Sequence, residues 1–359
     1  METPRLEINL RKLKHNTKAI VDMCHVKGID VVGVTKGVSG MPEVAKAMLE
    51  AGAVGLADAR IRNIQKLRKS GITAPITMLR LPRISNAAAV VSLSDLSINS
   101  EFGMIRSLTE ESLKSGKHHG IILMIDVGDL REGVMYNRAA DWLRRILSLE
   151  GVNFLGIGTN VGCYGGVLPS KKNMGMLAQI ARNIHDTFDM PHCVVSVGGT
   201  NCLPLIQKGQ MPGEINQIRI GEGILLGRNS SKHSTIHGTY QDAFQLVAEI
   251  VEIKKKPSIP LGSIGVDAFG NTPAFKNLGV RRRALIALGK QDVRLAGLIP
   301  IDNGVKILGG SSDYIILDIS DSKQDYSLGD EIRFNLLYPG LLSVTTSPYV
   351  SHYIKEDDH

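Results

Sequence analysis

Eight short apolar runs, each except the last followed by a helix-like stretch, constrain this chain more than any other feature. They are Asp30 to Val34, Val54 to Ala57, Pro75 to Leu79, Leu96 to Ile98, Gly120 to Ile125, Phe154 to Gly158, Cys193 to Val197 and Gln217 to Ile220. Between them lie amphipathic segments such as Met41 to Ala51, Arg60 to Lys69, Asn137 to Leu149 and Asn173 to Phe188. Strand–helix alternation dictates parallel strands joined by crossover helices. Eight such units in about two hundred residues fit a closed (β/α)8 barrel of the TIM type. An open doubly wound sheet is the alternative.

After Gly227 the helical periodicity fades. Strand-like runs follow at Gln245 to Ile253, Ala284 to Leu288, Tyr314 to Ile319 and Glu331 to Asn335. Turn signals at Pro260-Leu261-Gly262, Asp302-Asn303-Gly304 and Leu328-Gly329-Asp330 separate them. The chain thus reads as α/β: a barrel over residues 10–230, then an all-β domain over 235–359 that the opening strand within residues 1–9 joins. Its 359 residues suit two domains better than one core.

Composition narrows the function classes. Hydrophobic residues make up 43% and charged residues 21%, as in a soluble folded chain. No apolar run approaches bilayer length, and Met1 to Arg5 do not start a secretory leader. Cys24, Cys163, Cys193 and Cys202 form no C-x-x-C pair, which reads as reduced thiols in a cytosol. The net charge of +7 comes from scattered bases apart from Lys254-Lys255-Lys256 and Arg281-Arg282-Arg283. With aromatics at 4% there is little to stack on bases. The runs therefore read as solvated surface, and the field favours small anions.

Carboxyl ends of barrel strands are where chemistry sits. Here they carry Lys36; Asp58 and Arg60; Arg80; Asn99 and Ser100; Asp126, Asp129 and Arg131; Thr159 and Asn160; Ser196; and Arg219. Lys36 follows the first strand in Val32-Gly33-Val34-Thr35-Lys36-Gly37. A partly desolvated lysine amine can lose its proton and form a Schiff base, and pyridoxal phosphate is the obvious aldehyde. Strand seven ends in Gly198-Gly199-Thr200-Asn201 and strand eight in Arg219-Ile220-Gly221-Glu222-Gly223. Each loop alone reads equally as a glycine turn with a capping threonine. Together, after strands seven and eight, they form the usual phosphate cradle of this barrel.

These residues resemble the alanine racemase-type family, the fold-type III pyridoxal phosphate enzymes, and most of all the branch of amino-acid racemases that includes ornithine racemase. The likeness rests on Val32 to Gly37, on Ile125-Asp126-Val127-Gly128-Asp129-Leu130-Arg131-Glu132-Gly133 for the family's DTGxxRxG, on Ser196 to Asn201, and on Arg219-Ile220-Gly221. Leu308 to Asp313 with Asp318 match its GRxSMD…D segment. The resemblance implies that Lys36 carries pyridoxal 5'-phosphate and moves a proton. Ser196, Gly199, Thr200 and Gly221 hold the phosphate, with Tyr353 or Tyr349. Arg219, a pure donor, faces the pyridine nitrogen. Arg131 meets the cofactor oxygen or the substrate carboxylate, the alternative being an ion pair with Asp126 or Asp129; Asn160 also belongs to the site.

Departures from the family pattern bear on substrate. Lys290, in Leu288-Gly289-Lys290-Gln291-Asp292-Val293, stands where alanine racemases place the tyrosine that serves as second base. It reads as that base or as a turn lysine. Met124 replaces a modified lysine, and Ser312 replaces a methionine, which gives a roomier and more polar wall. Both changes argue against alanine and for a longer substrate such as ornithine or lysine, whose ammonium would want a carboxylate: Asp313, Asp267, Asp129 or Glu132. Cys163-Tyr164-Gly165-Gly166 reads as a substrate loop, with Cys163 itself a buried structural thiol. His233 and His237, four apart, lack a third ligand, so no metal is expected. The resemblance also implies a homodimer with a shared site. Alternatives are an alanine or serine racemase, or a D-amino-acid aldolase or dehydratase of the same fold type.

Overall fold

The computed structural model describes residues 2–229, 231 and 234–355. After β1 (Arg5–Asn9) and α1 (Leu10–His25), strands and helices alternate. They are β2 (Asp30–Val34), α2 (Pro42–Glu50), β3 (Gly55–Asp58), α3 (Ile61–Lys69), β4 (Ile76–Met78), α4 (Ala87–Leu93), β5 (Leu96–Asn99), α5 (Phe102–Ser115) and β6 (His119–Asp126). A two-residue β7 (Val134–Met135) precedes α6 (Ala139–Leu147), β8 (Val152–Asn160), α7 (Lys171–Phe188), β9 (Val194–Gly198), α8 (Leu203–Gln207), β10 (Gln217–Ile220) and α9 (Glu222–Leu226). Strands β2, β3, β4, β5, β6, β8, β9 and β10 pair in parallel in that order, and β10 returns to β2, which closes the barrel. The open sheet is thereby excluded.

The sequence accounts for this closure. Strands β3 and β6 are buried at every position, as strands covered on both faces must be. Helix α7 buries Met174, Leu177, Ala178, Ala181 and Ile184, a spacing of three and four that puts one stripe against the strands. Ser170 starts it with a capping box to Asn173. Gly116, in the left-handed region, ends α5.

Contacts divide the chain into two compact units, Leu10–Tyr240 and Met1–Asn9 with Gln241–His359. A short hairpin of β11 (Arg228–Asn229) and β12 (Ser234–Thr235) closes the first. The second is built on β13 (Phe244–Pro257), β14 (Val280–Ile286), β15 (Leu298–Pro300), β16 (Lys306–Gly310), β17 (Ile315–Asp318), β18 (Glu331–Leu336) and β19 (Ser351–Lys355). The sheet order is β15-β18-β13-β14-β17-β16, with β1 antiparallel to β13 and parallel to β19. One helix, α10 (Tyr338–Val344), interrupts the β pattern. Pro339 sits in its first turn, and Leu341 and Val344 are buried; seven residues are too few for helical periodicity to stand out in the sequence.

The two basic runs are not independent patches. Lys254, Lys255 and Lys256 on β13 stand directly opposite Arg283, Arg282 and Arg281 on β14. Facing like charges destabilise a ladder, and acids flank this one. Arg281 pairs with Asp318 at 2.8 Å and Asp321 at 2.7 Å, Arg282 with Asp325 at 2.7 Å, and Lys256 with Glu252 at 2.6 Å. Among the described residues, no helix is long and apolar enough to cross a membrane.

Strand β1 is fixed by a buried carboxylate. Glu7 accepts from Arg5 at 2.7 Å, Arg333 at 2.7 Å and Lys355 at 2.8 Å. Burial alone would raise its pKa; the bonds from Arg333, Lys355 and Arg5 outweigh that and bring it down to about 2. A carboxylate depressed from 4.5 to about 2 stabilises fully above the higher value and loses that contribution as pH falls through the lower one. Glu7→Gln removes the charge that Arg5, Arg333 and Lys355 share, while Arg5 and Arg333 keep Glu331, and should cost about 1–3 kcal/mol. Urea denaturation should show this deficit at pH 7, and it should shrink steadily as the pH approaches 2.

Candidate active site

The carboxyl ends of the barrel strands gather eight of the residues singled out above: Lys36, Arg131, Asn160, Ser196, Gly199, Thr200, Arg219 and Gly221. Lys36 begins a single 3-10 turn, Lys36–Val38, directly after β2 and Thr35. Its placement is set from below. The Thr35 hydroxyl donates to Asp58 at 2.7 Å, and Asp58, fully buried, also accepts from the Arg60 amide and the Asn63 side chain, each at 2.9 Å. Burial raises the pKa of Asp58 against those bonds. The strand-end aspartate thus anchors the lysine's turn rather than facing a ligand.

Lys36 is open to water on one side and crowded by protein on the others. That desolvation lowers its pKa, and the Arg131 cation adds to the effect; Cys163, Asp58 and Glu132 oppose it. A larger neutral fraction makes the amine a better nucleophile and base.

Arg219 lies beneath the rim, 2% exposed. One terminal nitrogen donates to the Ser196 hydroxyl. The other donates to the Thr159 carbonyl and to Asn160 Oδ1, both at 2.9 Å. Three strands, β8, β9 and β10, thus converge on one guanidinium. Its pKa is pushed down to about 10 by burial, so it stays a cation at neutral pH. Its Nε–H is buried and has no partner among the described residues, and an unmet buried donor costs about 1–3 kcal/mol. An acceptor placed there would satisfy it.

Gly198 and Gly199 make room for this arrangement. A methyl on Gly198 would fall on Asn160 Oδ1 and 2.8 Å from an Arg219 nitrogen. Gly199 has φ of 103°, a region that only glycine enters without strain. Its amide donates to the Arg219 carbonyl at 3.0 Å. Thr200 accepts from the Gly223 amide at 2.9 Å, stitching the loop after β9 to the loop after β10, where Gly221 packs on Val34.

Several expectations need correction. Ser196 is fully buried and its hydroxyl is engaged by Arg219 and by Gln217, at 2.7 Å to the latter; it supports Arg219 and is not placed to touch a ligand. Arg131 pairs with neither Asp126 nor Asp129 but with its neighbour Glu132. Asp126 instead accepts the Gly128 amide at 2.7 Å. Asp129 accepts the amides of Gly162, Cys163, Tyr164 and Val167 at 3.0–3.3 Å, so it cannot also bind an ammonium. Cys163 is exposed; the other three cysteines are buried. Thr35 and Glu132 are the functional neighbours that strand-end inspection undervalues.

The remaining candidates lie in the β unit. Lys290 Nζ is 3.5 Å from Asp267 and 4.0 Å from the centre of the Phe269 ring. The turn holding it packs on the 311–313 turn: the Lys290 amide donates to Ser311 at 2.9 Å, and that of Gln291 to Ser312 at 3.2 Å. Asp313 is exposed and accepts from Ser312 at 2.7 Å. Tyr353 is on β19 beside Glu7 of β1, and Tyr349 is exposed. Among the described residues, no group of three or more His, Cys, Asp or Glu side chains is arranged to hold a metal ion; His233 lies outside the described residues.

Comparison with known proteins adds to this geometry. Residues 8–228 match the family model described as alanine racemase, N-terminal domain. A lysine racemase from Thermotoga maritima is 41% identical over 350 residues, 98% of each chain. An ornithine racemase from Acetoanaerobium sticklandii is 38% identical over 350 residues, 97% of this chain and 98% of that relative. The solved alanine racemase from E. faecalis superposes with a TM-score of 0.71 at 17% identity over 98% of each chain, a likeness of fold.

Asp129 organises the 162–167 loop. Burial would raise its pKa, but the amides of Tyr164, Gly162, Val167 and Cys163 hold it below the ordinary 3.8. The carboxylate's ordering effect therefore persists above that pH and is lost only in more acid solution. Asp129→Ala leaves four amides unmet. Hydrogen–deuterium exchange at Gly162, Tyr164 and Val167 should accelerate about tenfold or more, with β8 unaffected.

Proposed function

The chain belongs to the alanine racemase family and is an amino-acid racemase, and we propose that it carries pyridoxal 5'-phosphate at Lys36 and interconverts the L and D forms of a basic amino acid, lysine or ornithine. One observation carries the cofactor reading. A lysine with a depressed pKa shares its rim with a buried arginine whose Nε–H lacks an acceptor. A pyridine nitrogen is an acceptor of the right kind, and the residues present fit the group. When bound, the cofactor supplies an aldehyde that exchanges amines and a conjugated ring that stabilises negative charge at Cα.

In this reading Arg219 holds the ring nitrogen by donating, and as a permanent cation it gives up no proton. Thr200 and Gly221 bind the phosphate through backbone donors, and Gly199, whose own amide is engaged by the Arg219 carbonyl, shapes the loop so that the phosphate can approach. Arg131 orients the substrate carboxylate. Lys36 takes the Cα proton on one face and returns it there in the reverse direction. Lys290, backed by Asp267 and Phe269, serves the opposite face, and Tyr353 is an additional phosphate contact. Support for a basic substrate comes from the two relatives named above, and from the elimination of carboxylates already committed. Asp129 is spent on four amides, Glu132 on Arg131 and Asn160, and Asp267 on its own turn and Lys290. Asp313, the exposed one of the four, accepts from two neutral groups, the Ser312 hydroxyl and the Gln291 side chain, and is assigned to receive the side-chain ammonium. A cytoplasmic homodimer with a shared site belongs to the same reading.

Borohydride reduction followed by trypsin digestion should leave a pyridoxyl group on the peptide containing Lys36; an unmodified peptide overturns the cofactor reading. Optical rotation should decay with L-lysine or L-ornithine well ahead of L-arginine, L-alanine and L-serine, and decay with L-alanine only would overturn the substrate. Lys36→Ala should lower kcat by about 10^3-fold, the usual worth of a positioned proton-transfer group. Asp313→Asn should raise KM for lysine and ornithine about tenfold, by loss of a charge-assisted bond, and leave alanine turnover unchanged. Lys290→Ala should abolish Cα deuterium exchange from one enantiomer and spare the other; equal exchange from both would remove Lys290 from the mechanism.

A further inference from the structure

Glu132 ties two arginines of the site together. It is 12% exposed and forms a two-point fork with Arg131, through Nε and Nη2. One of its oxygens also accepts from Asn160 Nδ2 at 2.6 Å. At its other end, Asn160 Oδ1 accepts from Arg219 at 2.9 Å. The path Arg131–Glu132–Asn160–Arg219 is thus unbroken, and it crosses from the loop after β6, over the end of β8, to β10.

We propose that Glu132 is a positioning residue for the racemase site: it orients Arg131 directly and, by holding the NH2 end of the Asn160 amide, keeps the amide oxygen in place on Arg219. Donor and acceptor chemistry sets the Asn160 amide. A carboxylate only accepts and a guanidinium only donates. An amide placed between them therefore has one allowed orientation, NH2 toward Glu132 and oxygen toward Arg219. Two further bonds, to Ser196 and Thr159, complete the plane and leave the Nε–H unpaired. With a neutral amide at position 132 the Asn160 NH2 loses its charged acceptor. Arg219 still demands the Asn160 oxygen, but the amide is then held firmly from one end only, and the acceptor it offers Arg219 is less well fixed. The charge matters as well. Glu132 is the carboxylate set between two cations, and it opposes the lowering of the Lys36 pKa. Its role toward the ring nitrogen rests on the cofactor reading above; the network itself does not.

Three variants test this: Glu132→Gln, Asn160→Asp and the two combined. Asn160→Asp alone sets two carboxylates against each other. The combination restores a donor–acceptor pair in reversed polarity, with a carboxylate still facing Arg219. Titration of apoprotein with pyridoxal 5'-phosphate, followed by absorbance, should show each single variant binding about tenfold more weakly, as expected for one lost buried hydrogen bond to a charged group, and the double variant recovering most of that loss. The pH midpoint of the bound band should fall by about one unit in Glu132→Gln, the direction for removing a negative charge near an amine. A merely structural residue would leave that midpoint in place. Unchanged affinity and midpoint in Glu132→Gln, or a double variant as weak as the product of the singles, overturns the proposal. If the wild type shows no band at all, the cofactor reading fails instead. The same cycle read by urea denaturation of the apoprotein then decides the network: strong non-additivity upholds it, and additivity removes it.

Discussion

A guanidinium without access to water must find its acceptors in the protein or cost several kcal/mol. Arg219 meets that demand at the ends of three adjacent strands, and most of the site's geometry follows. Thr159 gives a backbone oxygen, Asn160 an amide oxygen and Ser196 a hydroxyl. Gly198 must lack a side chain because a methyl there would occupy the space of Asn160 and Arg219. Gln217 in turn receives the Ser196 hydroxyl. Residues scattered over sixty positions of sequence are thereby fixed to one another by a single cation.

A second, smaller lock sets the lysine. Asp58 is buried with no cationic partner among the described residues, and a buried charge of that kind is costly unless well bonded. It holds the turn of Lys36 through Thr35 and the start of α3 through Arg60 and Asn63. The amine sits on a rigid support yet remains open to water, a combination suited to a group that must exchange partners. The electrostatics of Lys36 and Arg219 are joined, since both respond to Cys163, Glu132 and Arg131.

What the sequence disclosed and what it withheld follow one physical division. Lys36 after an apolar strand, paired glycines after strands seven and eight, and eight alternating units are local signals, and each was legible. Strand–helix alternation and the later β pattern followed from periodicity, while closure of the barrel against an open sheet was decided by the pairing of β10 with β2. The identity of partners was not legible, because it depends on contacts between distant residues. Ser196 carries the expected hydroxyl, but β9 turns it under the loop toward Arg219. Asp126 and Asp129 lie just ahead of Arg131 in sequence, yet backbone amides consume both, and Glu132 takes the pair. Cys163 follows an apolar strand, as buried thiols do, but it sits in a loop whose amides are tied to Asp129, and its thiol is exposed. The basic runs at 254–256 and 281–283 gave no hint that they face each other across two strands. Glu132 looked like any exposed acid because its second partner, Asn160, is 28 residues away.

The position of β1 imposes an order on assembly. It belongs to the unit made from residues beyond 240, wedged between β13 and β19. Synthesis delivers that strand more than two hundred residues before β13 and more than three hundred before β19. The barrel can close on its own contacts while the leading residues wait unpaired; the β sheet cannot. Nascent chains released early would carry a finished barrel with a loose, strand-forming leader, and such an unpaired edge is the part of the molecule most open to mispairing with another copy.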